Sequence, residues 1–435
     1  MVEKDMIHIQ DRIQMCIAKI IQNNSEVKNV FDEIYQQGGR VLLVGGAVRD
    51  CFLGCLGSDL DFELYHLSFE EIQDVLQKFG KVSFVGKSFG VLRLHGLDAD
   101  WSIPRLDSYG RKPTVQLDPN MSFAQAFRRR DLTINAMGVD VYSQELIDPF
   151  NGYADLKNKI LRSPDVTFFV QDPLRLFRLM QLSARFDMAV DETLNQVCRT
   201  MDISTLSSER IEQEFAKLFL KAYRPSIGFA WLAQIDRLKD FFAGVEFGAD
   251  FYRVIDCIAQ GYDFSDEQKL FASWGMIVRG LQKDELRNIQ IDQKISHEQS
   301  LIISSFLKRY IGSVDLVHRA AMMSWYVRYV PTLAEQDDVR AYKWLAHWIE
   351  PYFTMEVLGK IAACCFQRDI ADVFLDKAKS AKVLYKSEAP LLLGKDLLDH
   401  AHGKELGDLV KKADELQLNE SISDKQKLIQ RLLSK

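Results

Sequence analysis

The chain has 435 residues, 47% of them hydrophobic and 27% charged, a composition with room for roughly two to four folded domains and neither disordered nor fibrous in character. A formal charge of −6 and a pI near 5.8 exclude a protein that coats nucleic acid indiscriminately, while leaving room for a local basic face. The seven cysteines are scattered, without a C-x-x-C pair or histidines at zinc spacing, and no apolar run approaches the roughly 20 residues that span a bilayer, so reduced thiols, no membrane partner and a cytoplasmic location are expected.

The opening MVEKDMIHIQDRIQMCIAKI interleaves acids with apolar residues at helical spacing and predicts an amphipathic helix, not a targeting peptide. From Arg40 to about Asp148, short β-rich runs alternate with turn signals, the texture of an α/β or α+β unit. Val41 to Val44 read as a buried strand, followed by Gly45-Gly46 and a helix beginning near Ala47. Such a turn brings backbone N–H groups close to a phosphate. Next, Asp59 and Asp61 enter a strand, and alternation sets both on one face. An isolated D-x-D also suits a solvated edge strand, but beside a glycine turn it outlines a Mg²⁺ site. In GLDADWSIP, Asp98 and Asp100 share a face. Asp59, Asp61 and Asp100 on neighbouring strands suit two metal ions about 3.5–4 Å apart, the arrangement of polymerase-type chemistry.

FRRRDLTINA then sets Arg128, Arg129 and Arg130 side by side, either as a solvated helix end or as a clamp whose guanidinium forks match phosphate oxygens. After Asn151 the β signals nearly vanish and the remainder, about two thirds of the chain, reads as all-α. In QDPLRLFR, Asp172, Arg175 and Arg178 form a polar stripe on one helix face, with Pro173 tolerated in the first turn. A surface ion pair explains the stripe simply. Beside a nucleotide site it has a second reading. A carboxylate accepts from an exocyclic amino group while a guanidinium donates to the neighbouring ring nitrogen, so an Asp–Arg pair admits cytosine and adenine; uracil and guanine present the inverse pattern. His318 and His347 sit in apolar or aromatic helices and are expected in a core or interface. Lys308, Arg309, Lys404, Lys411 and Lys412 offer basic positions that suit an RNA backbone or a solvated face equally.

GGAVRD-x8-DLD, RRRDLTINAMGVD, DPFNGYADL, QDPLRLFR and SSERIEQEF, in that order over approximately Val41 to Phe215, resemble the class II tRNA nucleotidyltransferase and bacterial poly(A) polymerase family. PLLLGKDLLDHAHGKELGDLV adds a looser similarity near the C-terminus. The resemblance implies an α+β fold: a nucleotidyltransferase head with a mixed sheet, then an all-α neck, body and tail. The expected divisions are an N-terminal helix at 1–30, the head at 31–150, the neck at 151–222, the body at 223–330 and a tRNA-binding tail at 331–435. It implies template-independent addition of C and A to the tRNA 3′ end from CTP and ATP, with Mg²⁺ as cofactor. A CC-adding or A-adding specialist, a poly(A) polymerase and a non-catalytic RNA-binding module are the alternatives.

The implied catalytic and metal-binding residues are Asp59 and Asp61, with Asp100 as a third catalytic acid. Gly45, Gly46, Arg49, Arg129, Arg130 and Asp131 would bind the triphosphate and ribose. Asp172 and Arg175 would select the base, assisted by Gln171 and Arg178. Gln171 departs from the family, which usually has Glu there, and an amide would hold Arg175 more weakly than a carboxylate. Asp148, Gly152 and Asp155 look like the connector between head and neck, and Glu209 and Arg210 are expected to tie the neck together. Lys87 and Ser88, in GKSFGVL, resemble the tRNA-directed branch, and PRLDSYGRKPTVQLDPNMSF resembles the loop with which full CCA-adding enzymes switch between nucleotides.

Overall fold

Apolar residues at helical spacing bury one face of α1 (Val2–Asn23) and α2 (Glu26–Gln36), where Ile13, Ile20, Val30 and Ile34 are inaccessible to solvent. The period then changes to two. In chain order come β1 (Arg40–Val44), α3 (Gly46–Leu53), β2 (Leu60–Tyr65), α4 (Phe69–Gln77), β3 (Val82–Phe84), β4 (Val91–Leu94) and β5 (Ala99–Ser102). A ribbon of β6 (Arg105–Asp107) and β7 (Val115–Leu117), α5 (Phe123–Arg128), β8 (Gly138–Asp140) and β9 (Leu146–Ile147) follow. In this computed structural model residues 2–84, 90–107, 115–261, 263–281 and 294–434 are described. Lys87 and Ser88 lie outside the described residues, as does 108–114 of the expected switching loop.

Seven strands form one sheet in the order β3-β4-β5-β2-β1-β8-β9. β2 and β5 run parallel while β1–β2, β1–β8, β3–β4, β4–β5 and β8–β9 are antiparallel, so the sheet is mixed. Its two faces follow from alternation. On one, Phe62 and Trp101 meet with ring centroids 4.8 Å apart, and Phe31 of α2 packs 5.2 Å from Phe62. On the other, Leu42, Val44 and Tyr65 pack with Phe127 of α5. That second face also carries the acids of β2.

The chain divides into two compact units, Met1–Leu179 with Phe186–Thr205, and Met180–Arg185 with Leu206–Lys435. The division falls inside the segment 151–222. The first unit continues through α6 (Gly152–Asn158), β10 (Ile160–Leu161), α7 (Val166–Phe169), the start of α8 (Leu174–Phe186), whose Met180–Arg185 count with the second unit, β11 (Ala189–Val190) and α9 (Glu192–Thr200), with β10 and β11 paired in parallel. Cys16 of α1 and Cys51 of α3 are disulfide-bonded. This corrects the expectation that every cysteine is reduced: α1 lies along α3 and brings the two Cα atoms to 5.7 Å, inside the range a disulfide requires.

In the second unit the described elements are helices, joined by one isolated antiparallel bridge between Val245 and Leu281. Its interior is aromatic, with Phe215 5.0 Å from Trp274 and Phe219 5.6 Å from it, ring centroid to centroid. Beside the expected Glu209, whose side chain lies against Gly312, the Glu212 carboxylate also ties this region, accepting from Gly312 N at 2.7 Å and Ser313 N at 3.3 Å ahead of the helix Val314–Tyr326. His318 is exposed, against expectation, because it falls on the solvent side of that helix while Val317 and Ala320 are buried. His347 is half-buried beside Trp344. No helix among the described residues is long and apolar enough to cross a membrane.

Candidate active site

β1 delivers the chain to Gly45, whose φ of 75° and ψ of −140° form a backbone corner that side chains disfavour. A Cβ there would sit 3.0 Å from Nη1 of Arg130 and 3.6 Å from Oδ2 of Asp61. Backbone corner, guanidinium and carboxylate therefore share one small volume. Gly45 caps α3, so the helix start faces that volume with its unpaired N–H groups. Gly46 is tight for another reason: an added Cβ would meet Nη2 of Arg49 at 3.2 Å.

Asp61 and Asp100 are direct partners in the parallel pairing of β2 with β5, and Arg93 faces Asp100 from β4. Asp61, Asp100 and Arg93 thus make a row across three strands on one face. Arg93 donates to Oδ1 of Asp100 from Nε at 2.9 Å and Nη2 at 2.8 Å. Asp59 lies just ahead of β2. Although Asp61 reaches solvent, surrounding atoms strip part of its hydration and push its pKa up; Arg130 opposes this, and Asp59, Asp100 and Glu63 add to it. Such like-charge crowding on an oxygen-only donor set fits a hard divalent cation. Among the described residues no three metal-binding groups converge into a closed cage. The set therefore suits a cation that completes its shell with water and substrate oxygens.

Glu63 is the acid that reading the sequence missed, although the alternation Asp59, Asp61, Glu63 was visible. It is 1% exposed, accepts from the Tyr65 hydroxyl at 2.7 Å and pairs with Nη2 of Arg130 at 3.4 Å. A buried carboxylate needs such partners. Arg130 is also steered by stacking 5.2 Å over the Phe127 ring, and its Nε is buried without a hydrogen-bond partner in the protein. An anion held near Gly45 would meet a guanidinium already aimed by Glu63 and Phe127.

The arginine strip and α8 are fastened to each other. Nη1 of Arg175 donates to the Phe168 carbonyl and Nη2 to the Arg129 carbonyl, both at 2.8 Å. Burial lowers the Arg175 pKa, with Asp131 and Asp172 opposing. Gln171 does not hold Arg175, as the sequence had suggested; it is exposed, and its side-chain amide donates to the Thr167 carbonyl at 3.0 Å. Asp172 accepts from Leu174 N at 3.2 Å, as a helix-start acid does.

Asp131 and Arg178, both expected at the nucleotide, face each other. Nε and Nη2 of Arg178 each lie 2.7 Å from Oδ2 of Asp131, while Leu132 N and Asn135 Nδ2 donate to Oδ1 at 2.9 and 3.0 Å. Burial pushes the Asp131 pKa up, but Arg178 and Asn135 outweigh it and hold the carboxyl below its usual range. With both oxygens engaged, Asp131 positions the strip. Arg49 belongs to the same network: it donates to Asn135 Oδ1 at 2.5 Å and to Asp50 at 2.8 Å, and stacks 4.6 Å over Phe186. The segment DPFNGYADL is structural. Asp148 accepts from Gly152 N and Tyr153 N at 2.6 and 2.9 Å, and Asp155 accepts from Thr133 Oγ1 at 2.7 Å.

A mixed sheet with paired acids beside a glycine corner and an arginine strip has the architecture of a nucleotidyltransferase head, and residues 41–162 match the poly A polymerase head domain family. The chain is also similar to CCA-adding enzymes. It is 31% identical over 214 residues to the CCA-adding enzyme of Francisella tularensis subsp. novicida, a match covering 47% of this chain and 55% of that one. The chain thus spans about half the length of the curated relatives it matches. Two solved structures share the fold: the Bacillus stearothermophilus CCA-adding enzyme in complex with CTP (TM-score 0.68, 19% identity, 95% of this chain and 97% of that one) and the Thermotoga maritima CCA-adding enzyme complexed with tRNA (TM-score 0.64, 18% identity, 97% and 98%).

Proposed function

We propose that this protein adds C and A to the 3′ end of tRNA, using CTP and ATP and releasing pyrophosphate. The observation that carries the reading is the Asp61–Asp100 pairing on one sheet face, against the Gly45 corner and the aimed Arg130. The head family and the CCA-adding relatives support it. In the reaction the terminal hydroxyl of the RNA attacks the α-phosphate of the nucleotide. Asp59, Asp61 and Asp100 would hold Mg²⁺, which lowers the pKa of such a hydroxyl and neutralises charge on the leaving pyrophosphate. The start of α3 and Arg130 bind the triphosphate, and Glu63 keeps Arg130 pointed at it. Arg175, fixed by two carbonyls, donates to the ring nitrogen of C or A while Asp172 accepts from the amino group. Uracil and guanine would leave both groups mismatched, at about 1–3 kcal/mol each.

The head family's name favours one rival, a poly(A) polymerase. Incubation with tRNA lacking CCA, and with tRNA ending in CC, followed by sequencing of the new ends separates the two. Completed CCA ends are expected, abolished in Asp61→Ala and contaminated by U and G in Asp172→Ala. Long A tails on unrelated RNA would overturn the proposal, and CC-only or A-only products would narrow it to a specialist.

A further inference from the structure

The second unit holds a pair of sulfurs that nucleotide transfer does not use. Cys257 lies on the helix Ala249–Gln260 and Cys364 near the end of the helix Met355–Cys365, 107 residues apart in sequence, with Sγ atoms 2.8 Å apart. A covalent disulfide needs the sulfurs only about 0.8 Å closer. Their exposure differs: Cys257 is half-buried and reachable, whereas Cys364 is buried. Arg253, one turn before Cys257, donates from Nη1 to the Cys364 carbonyl at 2.9 Å and from Nη2 to the Cys365 carbonyl at 3.4 Å. One guanidinium therefore docks the last turn of the second helix and sets positive charge beside the first thiol.

We propose that Cys257 and Cys364 form a redox-active dithiol, in which Cys257 is the attacking and Cys364 the resolving cysteine toward low-molecular-weight disulfides. The Cys257 thiolate attacks one sulfur of the disulfide, whose S–S bond breaks and whose other half leaves as a thiolate that takes up a proton. Cys364 then gives up its proton and attacks the Cys257 sulfur of the mixed disulfide, expelling the second thiolate. Both cysteines are oxidised, the small disulfide is reduced to two thiols, and the protons pass from the protein to them. The asymmetry of the pair suits these roles. The shared thiol hydrogen bond and then Arg253 bring Cys257 down to about 7 against the opposing effect of its burial, and its neighbour is pushed well up. Closing the bond staples two helices distant in sequence, which restricts the unfolded chain far more than a local bridge does.

The test uses the reduced 435-residue chain and glutathione disulfide. Non-reducing peptide mapping is expected to yield a Cys257–Cys364 cross-linked peptide two hydrogens lighter than its parts, and oxidation should raise the urea midpoint more in the wild type than in Cys257→Ser, where the Cys16–Cys51 bond can still re-form. Cys257→Ser should abolish the cross-linked peptide and that additional rise, and Cys364→Ala should trap glutathione on Cys257. The wild-type map needs no variant to fold. Glutathione resting on Cys257 in the wild type without resolution, or on Cys55 alone, would overturn the proposal.

Discussion

Asp131 is 8% exposed and surrounded by donors, so its charge matters more than its volume. Asp131→Asn keeps the shape but leaves Arg178 facing an amide. Because the Arg178 side chain is 38% exposed and can regain water, the expected loss at neutral pH is about 2 kcal/mol, below the full cost of breaking a buried pair. The sign in pH follows from the lowered pKa. The contribution is complete above the ordinary carboxylate range, about pH 4, and is lost as pH falls through the folded value. Urea midpoints of wild type and variant should therefore converge in acid; a gap unchanged at low pH would mean that packing, not charge, carries the effect. Asp59 and Asp61 were legible residue by residue, since strand alternation puts them on one face wherever the strand lies; the same alternation held Glu63, which was not read as part of the site. The partners of Arg175 were not. A guanidinium bonded to a carbonyl 46 residues away leaves no local pattern, so the polar stripe read from the sequence did not show that Arg175 and Arg178 also clasp the arginine strip.

At the scale of elements, the clasp depends on how α6 meets the 3-10 turn Thr133–Asn135, which follows the strip. Gly152 opens α6, and a Cβ added there would lie 2.1 Å from the Thr133 carbonyl oxygen, a main-chain atom that cannot rotate away. Gly152→Ala is expected to cost about 3 kcal/mol, read as a lowered urea midpoint, and to reduce activity through displacement of Arg129 and Arg130. A neutral result would mean the turn shifts freely. This contact explains what the sequence could tell about the elements and what it could not. The strands and helices announced themselves by period, and the head's order β1, glycine corner, α3, β2 was readable. The short β10–β11 pair and the locking of α6 under the strip come from tertiary contact, which no local period encodes.

For the molecule as a whole, a net charge of −6 means that any affinity for a polyanion must come from a local surplus. In the second unit many cations are neutralised within the protein, as in Arg319–Asp315, Lys343–Glu388, Lys425–Asp396 and Arg431–Glu420. Lys404, Lys411 and Lys412 on the helix Gly403–Glu420 are exposed and have no ion-pair partner among the described residues. Lys404 and Lys411, seven apart, lie on one side of that helix. Under the proposed reaction they are positions suited to meet RNA phosphates. Reversing all three to Glu should raise KM for tRNA about tenfold at low salt while leaving kcat within about twofold, since the loss falls on uniform binding of the RNA backbone. The dependence of log KM on log salt should weaken by about 2, the loss of roughly three phosphate contacts at 0.7–0.9 each. Unchanged KM and slope would move the RNA-binding surface elsewhere, and a fall in kcat with KM unchanged would mean that the substitutions act on the fold of this helix instead of on RNA.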